Sequence, residues 1–362
     1  MAMTNSDLRK ADAAQNDEFY TQYADIQKEI NAYLENDPNL FRGKTVLLPC
    51  DDPEWSNFTR FFAQNFESLG LKKLISTSYA TNSKKFKGQL QLSLFETEDE
   101  RYDPEKSDIC GKIFTLTRDK NKSGAIDIDD LEWNYLEGDG DFRSDEVRKL
   151  RDEADFIITN PPFSLFREFL AWIIEANKKF LIIGNQNVIS YKEVFPLIKE
   201  NKTWLGVSIH SGDREFQVPD SYSLNAASFR VDENGRKFIR VKGVRWFTNI
   251  DHGRRHVELP LMTMADNLKF SKHKDLKGGE YKKFDNYDAL NIPYTDAIPS
   301  DYNELMGVPI TFMDKYCPEQ FEIIDGIGRY SVMNNEETKK AGKYLSMVDG
   351  KPQFFRIIIR RK

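Results

Sequence analysis

Short apolar runs alternate with helical apolar stripes over the first two thirds of the chain. Each short run predicts a buried strand, and apolar residues at spacings of three and four predict the helices between them. The strands are expected at 45–48, 73–76, 155–159 and 180–183. Apolar strands separated by helices are typical of a parallel sheet that is covered on both faces. The pattern therefore predicts an α/β fold.

The boundaries of several further elements follow from the same pattern. Apolar residues between 58 and 69 recur at helical spacing, and Gly70 ends that helix. A second helical stripe covers 166–174, and strands at 237–241 and 244–248 are predicted to form an antiparallel pair. Beyond these strands the periodicity gives way to stretches rich in Pro, Gly, Asn and Tyr, which indicates a second, irregular region.

The composition indicates a soluble protein of a reducing compartment. The chain has 362 residues, and no apolar run approaches the roughly 20 residues that a membrane helix needs. The polar N-terminus lacks the apolar segment of a secretory signal, and the three cysteines are widely spaced without a CxxC pair. We expect a cytoplasmic protein with no membrane partner and no disulfide framework.

Positive charge is concentrated in one segment of an acidic chain. The formal net charge is −6, yet residues 236–283 hold 13 lysines and arginines against five acids, so this segment carries +8 and the remainder −14. Such asymmetry is expected of a protein that meets a polyanion with one face. A solvated lysine-rich surface has the same composition, so the composition leaves both interpretations open.

Two segments carry residues of metal-ligand type, but we predict no metal site. Residues 119–130 resemble an EF-hand calcium loop, although the last position is Asp130 instead of Glu and the preceding residues alternate like a strand. The turn chemistry of a hairpin explains this loop equally well. His252 and His256 stand four residues apart, but Gly253 favours a loop and no cysteine lies nearby at zinc spacing.

The strongest chemical signal is the tetrapeptide Asn160-Pro161-Pro162-Phe163, directly after the strand at 155–159. Ligands bind at the carboxyl ends of strands in such sheets. An exocyclic aromatic amine is a poor nucleophile because its lone pair is delocalised into the ring. The side-chain oxygen of Asn160 and the carbonyl of Pro161 are two acceptors that would localise this lone pair, and the prolines bring no competing amide donor.

Phe163 adds an aromatic ring that can stack on a base removed from its duplex, as base-modifying enzymes require. The tetrapeptide therefore indicates methyl transfer to an amine, with positioning beside a sulfonium methyl group supplying most of the rate. A strand-ending turn with no catalytic role is the simpler alternative.

A series of motifs resembles the EcoRI DNA methyltransferase family of adenine-N6 enzymes, which use S-adenosylmethionine. The resemblance covers most of residues 17 to about 325. The motifs that carry it are Asp17–Gln22, Cys50–Pro53, Ser56–Phe58, Gly138–Ser144, Thr159–Ser164, Leu181–Asn185, Val244–Asn249, Phe284–Tyr287 and Gly307–Thr311. Asn-Pro-Pro-Phe alone fits many amino-methyltransferases, whereas the whole ordered series is specific. Cofactor motifs before the catalytic motif, and target recognition after it, resemble the gamma arrangement.

The resemblance implies a fold, a domain organisation and a reaction. The implied fold is a Rossmann-like S-adenosylmethionine methyltransferase sheet with helices on both faces, plus a smaller irregular C-terminal target-recognition region. The implied segments are a polar arm at 1–16, a catalytic domain at 17–258 and a target-recognition, DNA-binding domain at 259–362. The implied reaction transfers a methyl group to the N6 amine of a flipped-out adenine in duplex DNA.

The resemblance also implies individual site residues. The catalytic residues are Asn160, Pro161, Pro162 and Phe163. The cofactor-binding residues are Phe19, Tyr20, Thr21, Cys50, Asp51, Asp52, Asn57, Asp141 and Phe142. The loop at 50–53 lacks the glycines that methyltransferases usually carry there, and no acid follows the strand at 73–76 to hold the ribose. Helix capping is the simpler alternative for Asp51 and Asp52, and an exposed turn is the alternative for Asp141 and Phe142.

The resemblance to DNA methyltransferases implies a function for the basic segment at 236–283, because its side chains would neutralise DNA phosphates. The DNA-binding residues expected there are Arg245, Arg254, Arg255, Lys272, Lys274 and Lys277. The expected partner is double-stranded DNA. We expect a monomeric enzyme that is encoded by a bacterium or a phage. It would work beside a cognate restriction endonuclease or alone. The alternatives are methylation of RNA adenine, cytosine N4 or a protein glutamine, and a non-catalytic DNA-binding protein on the same fold.

Overall fold

The computed structural model describes residues 21–49, 51–53, 56–80, 99, 101–210, 213–218, 229–328 and 346–362. The chain divides into two compact units, one of residues 1–185 and 206–250 and the other of residues 186–205 and 251–362. This division differs from the predicted boundary at 258, because 186–205 and 251–258 group with the C-terminal residues. The functional division into catalytic and target-recognition domains stays a prediction.

The described residues form the following helices and strands. The helices are α1 (Tyr23–Asn36), α2 (Asn57–Gln64), α3 (Phe66–Leu69), α4 (Pro104–Ile109), α5 (Asp145–Glu153), α6 (Phe166–Glu175), α7 (Phe195–Lys199) and α8 (Met264–Phe270). The strands are β1 (Thr45–Leu48), β2 (Lys73–Ser78), β3 (Lys112–Leu116), β4 (Glu132–Tyr135), β5 (Phe156–Thr159), β6 (Lys179–Asn185), β7 (Trp204–Leu205), β8 (Asp213–Val218), β9 (Phe229–Val231), β10 (Lys237–Lys242), β11 (Val244–Thr248), β12 (Lys282–Lys283), β13 (Leu290–Asn291), β14 (Met306–Pro309), β15 (Phe321–Ile327), β16 (Met347–Val348), β17 (Lys351–Pro352) and β18 (Arg356–Arg361).

Within the first unit, seven strands form a mixed sheet in the order β4-β3-β2-β1-β5-β6-β11. The four central strands, β2, β1, β5 and β6, are parallel. Strands β3 and β4 on one side and β11 on the other run antiparallel to their neighbours. The α/β prediction is confirmed, and the four strands predicted to form a parallel sheet are parallel. The antiparallel strands that flank them make the whole sheet mixed.

The predicted hairpin of β10 with β11 is wrong. Strand β10 pairs with β8 and β9 in a separate three-stranded antiparallel sheet, whereas β11 pairs with β6. All five residues of β11 are buried, while β10 keeps exposed positions. Because a strand that is buried on both faces belongs inside a large sheet, burial separates these neighbours in sequence.

Helices cover both faces of the large sheet. On one face, Phe58 and Phe62 of α2 pack in the same core as Val46 of β1. On the other face, Phe166 of α6 packs against Phe247 of β11, with ring centroids 5.2 Å apart. The predicted helix at 58–69 is confirmed as α2 and α3, which break at Asn65 and end at Gly70 in the left-handed conformation.

The second unit contains a five-stranded mixed sheet where the sequence indicated irregular structure. Its order is β12-β13-β14-β18-β15, in which β13 and β14 are parallel and the other pairs are antiparallel. Strands β12 and β13 have two residues each, so they carry too little periodicity to be recognised. Among the described residues, no helix has the length and apolar character to cross a membrane.

Candidate active site

The carboxyl ends of the parallel strands β1, β2 and β5 lie at the same edge of the large sheet, and the turn at 138–142 contacts the end of β2. The hydroxyl of Thr159, the last residue of β5, donates to the carbonyl of Pro49 after β1 (2.9 Å). Beyond β2, the amide of Ala80 donates to the carbonyl of Asp139 (2.8 Å), which ties the turn at 138–142 to this edge. The residues that follow β1, β2 and β5 are therefore close together, as expected of a ligand site in such a sheet.

Gly140 allows the turn at 138–142 to approach β2. Its φ is +88°, a conformation that side chains other than glycine rarely adopt. A Cβ at this position would lie 2.4 Å from the carbonyl oxygen of Ser78, the last residue of β2. Both the backbone conformation and the close approach therefore require glycine here.

The predicted catalytic motif follows β5 at this edge. Asn160 is half-buried, and its side-chain oxygen Oδ1 is buried. Pro161 is buried, whereas Phe163 is half-buried and packs against the core on the α2 face. The carbonyl of Pro162 accepts a hydrogen bond from the amide of Leu165 (3.0 Å), while no backbone amide of the described residues donates to the carbonyl of Pro161. The motif thus holds two oxygen acceptors and an aromatic ring in four consecutive residues.

Asp51 anchors the loop between β1 and α2. The hydroxyl of Ser56, the N-cap of α2, donates to Oδ1 of Asp51 (2.7 Å). The hydroxyls of Thr59 and Ser76 donate to the backbone carbonyl of Asp51. The capping role considered for Asp51 and Asp52 therefore belongs to Ser56, and Asp51 supports it.

The carboxyl group of Asp51 retains one oxygen for a ligand. The residue is 8% exposed, and its buried Oδ2 has no hydrogen-bond partner among the described residues. Burial raises the pKa of Asp51 to about 7, because a carboxylate loses its hydration there. A ligand that brings a hydrogen-bond donor or a positive charge would satisfy this oxygen.

Two of the predicted cofactor residues, 36 positions apart, are in direct contact. The side-chain amide of Asn57 donates to the carbonyl of Thr21 (2.7 Å). Thr21 is buried, and its Oγ1 has no hydrogen-bond partner within the described ranges. Asp52 is half-buried in the loop that leads to Asn57. Three more predicted residues lie outside the described residues, namely Phe19, Tyr20 and Cys50.

Asp141 and Phe142 follow Gly140 in the turn. The carboxylate of Asp141 is held by Arg143, which lowers the pKa of Asp141 through hydrogen bonding. The ring of Phe142 is buried against Phe169 and Trp172 of α6, with centroids 5.0 and 5.6 Å away. A ligand can therefore meet only the backbone of Phe142. Sequence reasoning assigned no role to Arg143, because its hydrogen bonds to Asp141 are visible only in the structure.

Arg245 does not fit its predicted role as a DNA contact. It is 3% exposed in β11, and its guanidinium donates to the carbonyls of Val244 (2.8 Å) and His210 (2.7 Å). A buried guanidinium that is bonded to backbone carbonyls does not reach a phosphate, so the structure contradicts this assignment.

The side chain of Arg255 is likewise held by contacts within the second unit. Its guanidinium carbon lies 3.7 Å from the ring centroid of Trp204, and Nη2 donates to Oδ1 of Asn201 (2.7 Å). Only 11% of its side chain is exposed, which contradicts a role for Arg255 in binding phosphates. The neighbouring Arg254 is exposed.

The three lysines predicted to contact DNA are all on the surface. Lys272 is 76% exposed, and its Nζ lies 2.7 Å from Oδ2 of Asp296. Lys274 and Lys277 are exposed. Since exposed ion pairs are weak, the pair with Asp296 leaves Lys272 able to exchange its partner for a phosphate.

The calcium-like loop at 119–130 satisfies its own carboxylates. Asp130 accepts hydrogen bonds from three backbone amides at 2.9–3.0 Å, and Asp119 accepts two more at 2.9 and 3.1 Å. The strand predicted before this loop is confirmed as β3. Within the described ranges, no three His, Cys, Asp or Glu residues are grouped so that they could hold a metal ion.

The two histidines of the 252–256 segment use their ring nitrogens within the second unit. His252 contacts the carbonyl of Leu205 through Nε2 (3.0 Å) and accepts the amide of Arg255 at Nδ1 (3.2 Å). His256 lies between Asp251 and Glu319, with a nitrogen 2.9 Å from each carboxylate. These hydrogen bonds raise the pKa of His256.

Comparison with known proteins identifies the family. Residues 7–362 match the family described as "Adenine-specific methyltransferase EcoRI". The chain is 42% identical over 359 residues to the Type II methyltransferase M.EcoRI of Escherichia coli, an alignment that covers 99% of this chain and 97% of that protein. It is 32% identical over 363 residues to the Type II methyltransferase M.MgeORF184P of Mycoplasma genitalium and 31% over 366 residues to M.MpnI of Mycoplasma pneumoniae, with 98% of every chain covered. No solved structure matches. The chain therefore belongs to the EcoRI family of adenine-specific DNA methyltransferases.

Proposed function

We propose that this enzyme transfers a methyl group from S-adenosylmethionine to the N6 amine of an adenine that has left the DNA duplex. The observation that carries this proposal is the acceptor pair of Asn160 Oδ1 and the Pro161 carbonyl at the carboxyl end of β5. A 6-amino group has two N–H bonds, and the two oxygens match them in number and chemistry.

The acceptor pair activates the amine by withdrawing it from conjugation. Hydrogen bonds to both N–H groups favour a pyramidal nitrogen, whose lone pair points out of the ring plane and becomes nucleophilic. This interaction strengthens as the reaction proceeds, so it lowers the barrier more than it improves binding. Asn160 has no basic group in this role, and its task is to orient and polarise the nitrogen.

Phe163 holds the extruded base. Its half-buried ring packs against the protein core on one side, which keeps the ring in a defined orientation. Stacking of a base on such a ring is worth about 1–3 kcal/mol and offsets part of the cost of unstacking. Phe163 therefore acts before the chemical step, whereas Asn160 acts during it.

The polar groups at this edge of the sheet fit S-adenosylmethionine. The cofactor carries an ammonium, ribose hydroxyls and an adenine amine, and all of these donate hydrogen bonds. The buried oxygens Asp51 Oδ2 and Thr21 Oγ1 have no partner among the described residues, and the carboxylate of Asp141 lies on the neighbouring turn. When bound, the cofactor supplies an electrophilic methyl group on a sulfonium centre.

We propose nine cofactor-binding residues, of which Phe19, Tyr20 and Cys50 lie outside the residues that the structure describes. The full set comprises Phe19, Tyr20, Thr21, Cys50, Asp51, Asp52, Asn57, Asp141 and Phe142. The loop after β1 lacks the glycines that methyltransferases usually carry there, so we propose that the hydrogen bonds from Ser56 to Asp51 and from Asn57 to Thr21 shape it instead. The polar groups at the carboxyl ends of parallel strands favour a catalytic domain with a Rossmann-like fold that binds the cofactor.

For DNA binding, we propose surface contacts from Arg254, Lys272, Lys274 and Lys277 in a C-terminal target-recognition domain. All four are exposed, and the segment from 236 to 283 carries +8 in a chain of net charge −6. The partner is double-stranded DNA, and the enzyme acts as a cytoplasmic monomer. Its role is to protect a recognition site from a cognate endonuclease or to mark that site alone.

The decisive experiment maps the modified bases. Unmethylated plasmid DNA is incubated with the enzyme and S-adenosylmethionine, and single-molecule sequencing locates the product. We expect N6-methyladenine within one recurring recognition sequence. Methylcytosine, random modification or methylation confined to an RNA substrate would refute the proposal.

A further inference from the structure

Arg143 encloses the carboxylate of Asp141 with three hydrogen bonds. Its Nε lies 2.9 Å from Oδ1 and its Nη2 lies 2.6 Å from Oδ2. The backbone amide of Arg143 also donates to Oδ1, at 2.8 Å. The planar guanidinium fork thus fixes both the position and the rotation of the carboxylate.

These bonds leave one acceptor site on the carboxylate. An ionised carboxylate has about four lone-pair sites, two on each oxygen. Nε and the backbone amide occupy the two sites on Oδ1, and Nη2 occupies one on Oδ2. The remaining site on Oδ2 has no donor among the residues that the structure describes, and it can accept a single donor in a fixed direction.

The guanidinium is itself anchored to the helix that follows the catalytic motif. Its Nη1 donates to Oε2 of Glu168 in α6 (3.1 Å). Its central carbon lies 5.3 Å from the ring centroid of Phe142, whose ring is buried against α6. About half of the Arg143 side chain is exposed, so these contacts contribute little to stability, and their effect lies in geometry.

We propose that Arg143 is a positioning residue that aims the free acceptor site of Asp141 Oδ2 at one N–H of the adenine amine of the cofactor. This inference rests on the proposed function, because it assumes that S-adenosylmethionine binds at this turn. A single oriented acceptor selects a 6-amino purine over a 6-oxo purine, since an oxo group would face the carboxylate with a lone pair.

The test compares binding of S-adenosylhomocysteine with its deaminated 6-oxo analogue, both followed by calorimetry. We expect the wild type to prefer the amino compound by about tenfold or more. Arg143→Ala should weaken binding of the amino compound and reduce that preference. Both variants should keep a Tm close to that of the wild type, and Arg143→Lys, which keeps the charge without the fork, should retain only part of the preference.

A double-mutant cycle separates positioning from a general effect on the fold. Because Arg143 acts through Asp141, Arg143→Ala should add little to the loss already caused by Asp141→Ala. The matched control is Arg148→Ala, an exposed arginine in α5, which should leave both affinities unchanged.

Different outcomes separate the inference from the function on which it rests. A wild type that binds neither compound overturns the proposed cofactor site, and the inference with it. A wild type that binds both equally, an unchanged preference in Arg143→Ala, or additive losses in the cycle would overturn the role of Arg143 while leaving the methyltransferase intact.

Discussion

The candidate active site and the lysine-rich surface at 269–283 use charge in opposite ways. At the site, Asp51 is 8% exposed and Asp141 is enclosed by Arg143, so each carboxylate has a fixed orientation. On the surface, Lys272 is 76% exposed in an ion pair with solvent around it. The active site fixes the positions of individual carboxylate oxygens, whereas the lysine-rich surface spreads positive charge over a wide area.

This difference predicts two kinds of functional effect. Oriented groups at the site act over one hydrogen bond, so their loss changes the chemistry or the cofactor preference. Exposed charges act over roughly a Debye length, about 10 Å at 0.1 M salt, so their loss changes DNA affinity and its salt dependence. The two regions are therefore separable by mutation.

The largest effect is expected for Asn160→Ala. Loss of one of two acceptors that polarise the amine should lower kcat by about 10²-fold or more, with little change in DNA or cofactor affinity. Single-turnover methylation and calorimetry measure the two quantities separately. Asn134→Ala, at an exposed position of β4, is the control and should be near normal. Near-normal turnover of Asn160→Ala would refute the catalytic assignment.

Neutralising Lys272, Lys274 and Lys277 together should weaken DNA binding and leave cofactor affinity intact. The slope of log K against log salt should flatten by about 0.9 for each DNA phosphate that the variant no longer neutralises. Lys272 should contribute least, because DNA must replace its bond to Asp296. The matched control triple removes exposed lysines of the first unit, at Lys28, Lys106 and Lys149. Equal slopes for both triples would show that this surface does not face the DNA backbone.

Gly140→Ala should destabilise the protein more than Gly124→Ala. Both glycines have nearly the same φ, +88° and +90°, but a Cβ at Gly124 meets nothing within 4 Å. Both variants lose stability because alanine disfavours this backbone conformation. Gly140→Ala should lose about 1–3 kcal/mol more, because its Cβ also clashes with the carbonyl of Ser78. Urea titration measures both free energies of unfolding, and an equal loss would show that the turn yields without strain.

Asp51 should make the stability of the protein depend on pH. Burial raises its pKa from 3.8 to about 7, so the folded protein holds this proton more tightly than the unfolded chain. The resulting stabilisation is complete below about pH 4 and is lost as the pH rises through about 7. We expect the Tm of the wild type to fall between pH 5 and pH 8 relative to that of Asp51→Asn, which has no carboxyl to ionise. Parallel Tm profiles would contradict this ionisation.

Motifs at strand ends could be located from the sequence because local pattern determines their position. The strand before Asn160 is fully buried, and the apolar stripe from 166 to 174 follows the motif closely, so the motif is located in the turn between a strand and a helix. The hydrogen bond between Asn57 and Thr21 joins two of the predicted segments. The distance between them in sequence shows why the hydrogen bond itself could not be foreseen.

The roles of the basic residues could not be predicted from the sequence in the same way, because a charge does not indicate whether its side chain is buried or exposed. Arg245 and Lys274 are equivalent in a count of charges, yet β11 turns Arg245 into the interior while Lys274 lies on the surface. The pairing of β11 with β6 decides this, and that pairing depends on residues some 60 positions away. Arg143 was missed for the converse reason, since its role appears only when its hydrogen bonds to Asp141 are known.

The loop at 119–130 illustrates how a backbone can replace an ion. In an EF-hand, the converging carboxylates are neutralised by calcium, whereas here amide dipoles of the loop point at Asp119 and Asp130. The loop therefore carries its counter-charge in its own main chain. Its shape should persist unchanged in a chelating buffer, because these hydrogen bonds come from the chain itself.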